Sequence, residues 1–267
     1  MLRTLATDFQ KAPTPFSEIS IRPDTQRPRA VPLPFTIRLV RTHDQLARAV
    51  NVRTAAYAKR LPSIACTLGN AEPEDGEPGS IVLLAEAKET QAPVGTLRIH
   101  TNLHGPTEFE RELTLPRTFQ GHSIAHVSRL GVVSGRFGGQ VKLALFKALY
   151  RYCLARQIEW IMVTGIPPRD RDYVSLKFTD VFPDGRMVTL PSSMGIPARL
   201  LAFNVRTAEQ RWREAGHQLY EFMCNQIHDD IRIFDSVSGA WSNNRAKKRN
   251  SASTKRISEI SFDVPIV

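Results

Sequence analysis

The residues best suited to chemistry lie close together, between His126 and Tyr150. An apolar stretch carries Arg129, a glycine pair follows at Gly138 and Gly139, and a helical pattern then begins. Backbone N–H groups point out of a helix N-terminus and carry partial positive charge, so a strand, a glycine-rich turn and a helix start together favour phosphate or another anion. The segment therefore predicts a protein that binds a phosphorylated carrier.

Three arginines occur within apolar elements. Arg53 lies on or beside the apolar stripe of one predicted helix, and Arg98 and Arg129 lie within predicted strands. A buried charge is costly unless it has a partner. Together the three predict a polar, positively lined cleft. For Arg53, a structural salt bridge at the edge of the core is the alternative.

The elements that position these residues alternate between strand and helix patterns. Strands are predicted over 35–40, 80–86, 94–101, 124–133, 160–164 and 219–223, with one or two more over 188–205. Helices are predicted over 42–59, 140–156, 170–178 and 207–216, and irregular chain over 66–80 and 102–122. Capping-box spacing marks two helix starts, at Thr42 with Gln45 and at Thr207 with Gln210. The order predicts an α/β domain with a mixed central sheet.

The two ends of the chain differ from its middle. Residues 1–34 are rich in proline and predict a flexible arm, and residues 236–267 predict a basic flexible tail. The folded domain is expected over 35–235. The basic run could contact nucleic acid or an anionic membrane, or act only as a solubilising tail.

Composition sets the broad class. The chain has 267 residues and a net charge of +10, which favours acidic partners. Three cysteines without C-x-x-C spacing indicate a reducing compartment rather than a disulfide framework. No apolar run approaches the roughly 18 residues of a membrane span, and no signal sequence is evident. We expect a cytoplasmic protein.

Other catalytic and metal patterns are missing. The pairs His100/His104 and His122/His126 have the spacing of helical zinc ligands, but they do not fall on predicted helices. On a strand, four residues separate two rings by about 13 Å, too far to share a metal. Neither a G-x-S-x-G elbow nor a P-loop is present. We predict no metal site.

Three short blocks resemble acyl-homoserine lactone synthases and long-chain N-acyl amino acid synthases, two groups of GNAT-like acyltransferases. In order, the blocks are Arg53-x-x-x-Tyr57, 94–98 (VGTLR) and 127–132 (VSRLGV). The resemblance spans roughly residues 35–225. It implies a GNAT-like three-layer fold, with a mixed, mostly antiparallel central sheet flanked by helices.

The resemblance also implies a donor site at the glycine pair. GNAT enzymes carry an R/Q-x-x-G-x-G/A loop that binds the carrier's pyrophosphate, and residues 136–141 read RFGGQV. The implied cofactor-binding residues are Arg136, Gly138, Gly139 and Gln140. Here the glycines are shifted by one position, which fits relatives that use acyl carrier protein, with one phosphate on its phosphopantetheine arm. Acyl-CoA is the alternative donor. A basic chain would attract the acidic carrier protein.

Catalytic roles follow from the same resemblance. His126 stands where the family usually has glutamate, and is the candidate base for the attacking amine; a histidine at the edge of the core with no catalytic role is the alternative. A regular strand would direct His126 and Arg129 to opposite faces, so a β-bulge is needed to bring both to one cleft. Tyr173-x-x-x-Lys177-Phe178 resembles a Y-x-x-x-G-F segment whose tyrosine protonates the leaving thiolate, although an ordinary surface tyrosine is the alternative. The implied catalytic residues are His126, Tyr173 and Arg129.

The remaining site predictions concern the acceptor and the acyl chain. The implied substrate-binding residues are Arg53, Tyr57, Arg98 and Ser128. Arginine suits an acceptor carboxylate because of its bidentate geometry. Leu130, Val132, Trp160 and Met162 would line an acyl-chain pocket or form ordinary core.

The sequence thus predicts an N-acyltransferase. It would move an acyl chain, of fatty type, from acyl carrier protein or acyl-CoA to the amine of an amino acid or similar small acceptor, by direct attack on the thioester. The alternative is a non-catalytic GNAT-like binding module, which senses acyl carriers or joins a nucleic-acid complex through the basic tail.

Overall fold

The computed structural model describes residues 29–59, 61–135, 137–193 and 195–234. The strands are β1 (Arg29–Ala30), β2 (Phe35–Leu39), β3 (Ser80–Ala87), β4 (Pro93–Thr101), β5 (Ile124–Val132), β6 (Trp160–Gly165), β7 (Thr179–Asp180), β8 (Met187–Val188), β9 (Ala198–Asn204), β10 (Gln226–Ile227) and β11 (Ile231–Arg232). The α-helices are α1 (His43–Ala58), α2 (Pro62–Ala65), α3 (Glu108–Glu112), α4 (Gly138–Ala155), α5 (Asp170–Ser175) and α6 (Ala208–Glu214). Short 3₁₀ turns occur at Pro73–Asp75, Arg117–Phe119 and Pro191–Ser193.

A mixed sheet forms the centre, with strand order β11-β2-β3-β4-β5-β6-β9-β7, and β8 also pairs with β9. Neighbouring strands are antiparallel except for β11 with β2 and β5 with β6. Separately, β1 pairs with β10. The predicted mixed, mostly antiparallel sheet is confirmed.

Helices cover both faces of the sheet. Gly95 faces α4, since a Cβ there would lie 2.5 Å from Val141 Cγ1. Thr96, the next residue along the strand, points to the other face. It pairs with Gly131, where a Cβ would lie 3.2 Å from the Arg53 Cα of α1. The result is three layers, α1, sheet and α4, as the family resemblance implies.

The main core lies between the sheet and α4. Ile99, Ala125, Val141 and Leu145 belong to one buried cluster there. A second buried cluster, which includes Phe109 and Met162, lies under α3 and the β7–β8 segment. Within the described residues, no helix is both long and apolar enough to cross a bilayer.

Strands β5 and β6 pair over only four residues, Ile124–Val127 with Trp160–Val163. Beyond Val127 the two strands have no ladder between them, while β5 continues to pair with β4. A gap therefore opens in the sheet on the side of β5 that faces β6.

A β-bulge occurs at this gap. Thr96 pairs with Gly131 and Arg98 with Ser128, so one residue of β4 faces Arg129 and the residue after it. Arg129 has a φ of 54°, in the left-handed region that non-glycine residues seldom adopt. The bulge that the sequence required thus exists, at Arg129 itself.

Three sequence predictions need correction. The strand predicted over 219–223 is wrong, because the chain makes a π-helical turn at Glu221–Asn225 instead. Lys147 of α4 donates through Nζ to the Phe222 and Gln226 carbonyls, which satisfies backbone groups that a sheet would otherwise satisfy. Within 102–122, the chain forms the short helix α3, whose start has a capping box between Thr107 and Glu110.

The third correction concerns the chain ends. Residues 29–34 were assigned to the arm, but β1 lies within them and Leu33 is buried. The Leu33 N–H also donates to Asp230 Oδ2 at 2.8 Å. Residues 1–28 and 235–267, which carry the rest of the predicted arm and the basic tail, lie outside the described residues.

Candidate active site

A cavity of about 430 Å³ occupies the gap between β5 and β6 and runs along α4. The α4 residues that line it recur at helical spacing: Gly138, Gly139, Lys142, Leu143, Phe146 and Leu149. At a rise of 1.5 Å per residue, this stripe is about 16 Å long. Its outer end is polar, and its inner end, with Phe146, Leu149 and Val163, is apolar. An elongated occupant with one polar end and one apolar end fits this lining.

The polar end holds the glycine pair. Gly138 and Gly139 both line the cavity, and a Cβ at Gly139 would meet no atom within 4 Å. The first-turn amides of an α-helix have no acceptor within the helix, although the Gly138 N–H donates to the Gly135 carbonyl of the preceding turn at 3.1 Å. Gln140 is exposed and is not among the lining residues, and Arg136 lies outside the described residues. Of the four residues predicted to bind cofactor, the structure places the two glycines at the cavity.

Four of the other predicted site residues also line the cavity: Tyr57, Ser128, Arg129 and Tyr173. Burial raises the pKa of Tyr57, although the charges of Arg129 and Arg53 oppose the shift. Burial also raises the pKa of Tyr173, with smaller contributions from Tyr57 and Asp172. Both phenols are therefore neutral at physiological pH and can donate a proton or a hydrogen bond.

The three arginines converge on two acids of the Pro73–Asp75 turn. Arg53 Nη1 donates to Glu72 Oε2 at 2.9 Å, and its Nη2 donates to Asp75 Oδ1 at 2.8 Å. Arg98 Nη1 donates to the same two oxygens at 3.2 and 3.3 Å. Arg129 binds Glu72 in a bidentate manner: its Nε donates to Oε2 at 2.7 Å, and its Nη2 donates to Oε1 at 2.5 Å. We call these five residues the arginine–acid cluster.

This cluster corrects the predicted positively lined cleft. Arg53 and Arg98 are buried, at 0% and 3% exposure, and neither lines the cavity. The contacts of Arg53 with Glu72 and Asp75 are structural salt bridges, which is the alternative interpretation of this residue. Burying unpaired guanidinium groups would cost several kcal/mol each, and the two acids offset that cost. Only Arg129 reaches the cavity, where its Nη1 donates to the Ser192 carbonyl at 2.8 Å.

Glu72 and Asp75 are not among the predicted site residues, and both fall in the segment 66–80 that is predicted as irregular chain. Glu72 precedes Pro73, and its N–H donates to Asp75 Oδ2 at 2.9 Å, so the two acids close a capped 3₁₀ turn. An acid followed directly by proline, with a second acid three residues after the first, is a pattern that indicates a capped turn. This pattern could have located Glu72 and Asp75. Burial alone would raise the pKa of Glu72, but the hydrogen bond and charge of Arg129, with the charges of Arg98 and Arg53, outweigh it and lower the pKa.

His126 lies away from the cavity. It is 4% exposed, it is not a lining residue, and its ring packs on Phe109 with centroids 4.0 Å apart. Its Nε2 lies 3.9 Å from Glu108 Oε2. Burial, and then the charge of Arg98, hold the pKa of His126 well below its ordinary value, so the ring is neutral. The bulge directs Arg129 to the cavity, but it does not bring His126 there.

The predicted acyl-pocket residues divide into two pairs. Leu130 and Val132 line the cavity. Trp160 and Met162 belong with the second buried cluster, and their role there is core packing, the alternative named for them. The apolar end of the cavity is instead built by α4, through Leu143, Phe146 and Leu149. The described residues contain no group of three or more His, Cys, Asp or Glu that could hold a metal.

No family model matches the chain, and no curated protein sequence matches it. Solved structures do resemble it. FeeM, an N-acyl amino acid synthase from uncultured soil microbes, aligns with a TM-score of 0.53 at 16% identity, over 71% of this chain and 97% of its own. BjaI, a CoA-dependent acyl-homoserine lactone synthase solved with SAM and isopentyl-CoA, aligns with a TM-score of 0.51 at 17% identity, over 77% and 98%.

The chain has a GNAT-like fold. The fold implied by the three sequence blocks is therefore confirmed. At these identities the likeness concerns the fold, and the chemistry of this chain has to be inferred from its own cavity.

Proposed function

We propose that the chain is an N-acyltransferase, which transfers an acyl group from a phosphopantetheine thioester to the amine of an amino acid or a similar small acceptor. One observation carries the proposal: a single cavity joins a glycine-lined helix start to an apolar interior, and polar side chains such as Tyr57, Ser128 and Tyr173 also line it. The order of these parts matches the order of parts in an acyl donor, namely phosphate, thioester and hydrocarbon chain.

The donor's position follows from this order. Its phosphate lies beside Gly138 and Gly139, where the amides and the dipole of α4 favour negative charge. The acyl chain lies against Phe146, Leu149 and Val163, which exclude water. Acyl carrier protein and acyl-CoA both present this phosphopantetheine arm. The apolar depth of the cavity favours a fatty chain over an acetyl group.

The reaction is aminolysis of the thioester. The neutral amine attacks the carbonyl carbon, a C–N bond forms, and the C–S bond then breaks. Tyr173 protonates the leaving thiolate, since its burial keeps the phenol neutral, and the proton that the attacking nitrogen loses restores the Tyr173 hydroxyl, so the step has no net proton uptake. Ser128 and Tyr57 provide hydrogen bonds to the acceptor. Arg129 is held by two hydrogen bonds to Glu72, and it positions the β5 bulge that lines the cavity.

The roles predicted for His126, Arg53 and Arg98 change. His126 does not reach the cavity, so it is not part of the proposed mechanism as the base. Arg53 and Arg98 position Glu72 rather than bind the acceptor's carboxylate.

A thiol-release assay tests the proposal. The purified chain is mixed with acyl-CoA or acyl carrier protein of several chain lengths and a panel of amino acids, with mass spectrometry of the product. We expect thiol release together with an acylated amine. Tyr173→Phe removes only the hydroxyl group, and we expect kcat to fall about 100-fold, the lower end for general acid catalysis.

Tyr220→Phe is the matched control. Tyr220 accepts a hydrogen bond from Arg213 at 3.0 Å and does not line the cavity, so its loss should leave kcat unchanged. If no donor releases thiol with any acceptor, the enzymatic proposal is wrong. Equal effects of the two substitutions would remove Tyr173 from the mechanism.

A further inference from the structure

Two cations and one carboxylate meet at the polar end of the cavity. Lys142 lies on α4, Asp172 on α5, and Arg169 directly precedes α5, and all three line the cavity. Lys142 Nζ donates to Asp172 Oδ2 at 3.0 Å, and Arg169 Nη1 donates to the same oxygen at 3.3 Å. A single carboxylate oxygen therefore holds two cations beside the glycine pair. We call these three residues the entrance triad.

The helix places Lys142 over the glycine turn. Lys142 follows Gly138 by four residues and Gly139 by three, so the three share one face of α4. Side chains on a helix lean toward its N-terminus, which extends the ammonium group back toward the glycines. Arg169 approaches the same place from the other wall of the cavity.

The entrance triad is weakly held. The side chains of Lys142, Asp172 and Arg169 are 38%, 39% and 50% exposed. Exposed ion pairs contribute about 0–1 kcal/mol, so separating them costs little. Burial would raise the pKa of Asp172, but hydrogen bonds from Lys142 and Arg169 outweigh it and lower the pKa, so the carboxylate is charged at neutral pH.

The phosphate of the donor's arm can replace Asp172 as the anion. On a carrier protein this phosphate is a diester with one negative charge and two unesterified oxygens, whereas a free monoester carries about −1.5 to −2 charges at pH 7 and three acceptor oxygens. Each cation could then have an oxygen of its own, in place of the single oxygen they share. The exchange replaces one anion by another and forms or breaks no covalent bond.

We propose that Lys142 and Arg169 bind the phosphate of the donor's arm, and that Asp172 holds both cations in place until the donor arrives. The identity of the donor rests on the proposed function. The phosphate site itself does not require that the chain transfer acyl groups, so the two can be tested separately.

Calorimetric binding of two small probes tests this site. The probes are 4′-phosphopantetheine and pantetheine, which differ by the phosphate alone. We expect Lys142→Gln and Arg169→Gln each to weaken 4′-phosphopantetheine binding about tenfold, as for the loss of one charged hydrogen bond, and to leave pantetheine unchanged. Asp172→Asn, which frees the cations, should strengthen 4′-phosphopantetheine binding.

Arg213→Gln is the matched control. Arg213 is also an exposed arginine paired with an acid, Glu209, but it lies on α6 and does not line the cavity. The Arg213→Gln variant should bind both probes with the same affinity as the unaltered chain. Coenzyme A and holo acyl carrier protein, measured in parallel, distinguish the two sources of the phosphate, because only the physiological source should bind more tightly than the bare arm.

Several outcomes would overturn the site. These are the absence of 4′-phosphopantetheine binding at millimolar concentration, unchanged binding in Lys142→Gln and Arg169→Gln, or an equal loss for pantetheine. A chain that binds phosphate through Lys142 yet releases no thiol would contradict the proposed function alone. A chain that turns over thioesters with no dependence on Lys142 or Arg169 would contradict the phosphate site alone.

Discussion

Glu72 is the residue on which three elements depend. Its carboxylate binds Arg53 of α1, Arg98 of β4 and Arg129 of the β5 bulge. The three arginines are far apart in sequence and would repel one another if the acid were neutral. One carboxylate therefore holds a helix and two strands in register around the cavity.

We expect Glu72→Gln to lower the free energy of unfolding by about 3 kcal/mol, because the substitution leaves Arg129 without its carboxylate partner and leaves Arg53 and Arg98 to share the carboxylate of Asp75. Urea unfolding followed by circular dichroism measures the change.

Glu74→Gln is the control for that substitution. Glu74 belongs to the same turn, but its carboxylate is 46% exposed and lies 3.8 Å from Arg98. Its loss should change the free energy of unfolding by no more than about 0.5 kcal/mol. Similar losses in the two variants would show that Glu72 has no special place in the cluster.

At the residue scale, the sequence identifies arginines more readily than their partners. Arg53, Arg98 and Arg129 stand out because a charge interrupts an apolar pattern. Glu72 lies in an acidic loop where charge is ordinary, and 57 residues separate it from Arg129. Long-range pairing of this kind leaves no local periodicity. The same reason explains why the entrance triad was not predicted.

At the element scale, the cavity exists because β5 and β6 separate after a short pairing, while β6 stays paired with β9 to its end. Gly165 ends β6 and allows α5 to approach closely, since a Cβ there would lie 2.8 Å from the Asp170 Cα and 2.9 Å from its Cβ. Asp172 and Tyr173 follow directly on α5. Asp172 and Tyr173 can therefore reach the cavity because residue 165 is a glycine and has no Cβ.

We expect Gly165→Ala to cost about 1–3 kcal/mol in the free energy of unfolding, because the added Cβ collides with backbone that cannot rotate away. Urea unfolding provides the measurement. Gly69→Ala is the matched control, since no atom lies within 4 Å of its Cβ position and its φ is outside the left-handed region. A loss in Gly165→Ala no greater than in Gly69→Ala would contradict the close approach.

Most elements follow from sequence patterns because their period matches one buried face. The helix predicted over 42–59 is observed as His43–Ala58, and the Gln45 N–H donates to the Thr42 hydroxyl oxygen as a cap. At Thr207 the expected cap differs, because its own N–H and hydroxyl donate to Asn204 instead. The strand predicted over 219–223 fails because short apolar runs do not distinguish a strand from a packed turn.

At the scale of the whole molecule, buried ionisable groups make stability depend on pH. Four acids have lowered pKa values because hydrogen bonds and cations outweigh burial: Glu72, Asp75, Asp172 and Asp230. Three histidines have lowered pKa values chiefly because burial disfavours their charged form: His100, His126 and His228. In both sets, the unfolded chain takes up protons at a higher pH than the folded chain does.

Stability should therefore fall as the pH falls, in two stages. Below about pH 6.5 the decline is shallow, as histidines of the unfolded chain become protonated, and below about pH 4 it steepens as the carboxylates follow. Urea unfolding at intervals from pH 7.5 to 3.5 measures it.

The Glu72→Gln variant provides an internal check on the second stage. Its deficit relative to the unaltered chain should be largest at neutral pH and should shrink below about pH 4, where Glu72 of the unfolded chain begins to take up a proton. Stability that is constant or that rises down to pH 4 would contradict the role given to these groups.

The outer edge of β2 is completed by a strand from the far end of the domain. Ile37 of β2 pairs in register with Ile231 of β11, and Leu33 bonds to Asp230 across 197 residues. At 5–20 residues per second, a ribosome needs about 10–40 s to make that interval. Throughout this time the first long strand of the nascent chain has an open edge, ready to pair with another chain. This early strand thus waits for its outer neighbour until almost the whole domain has been made, and synthesis speed becomes a determinant of yield.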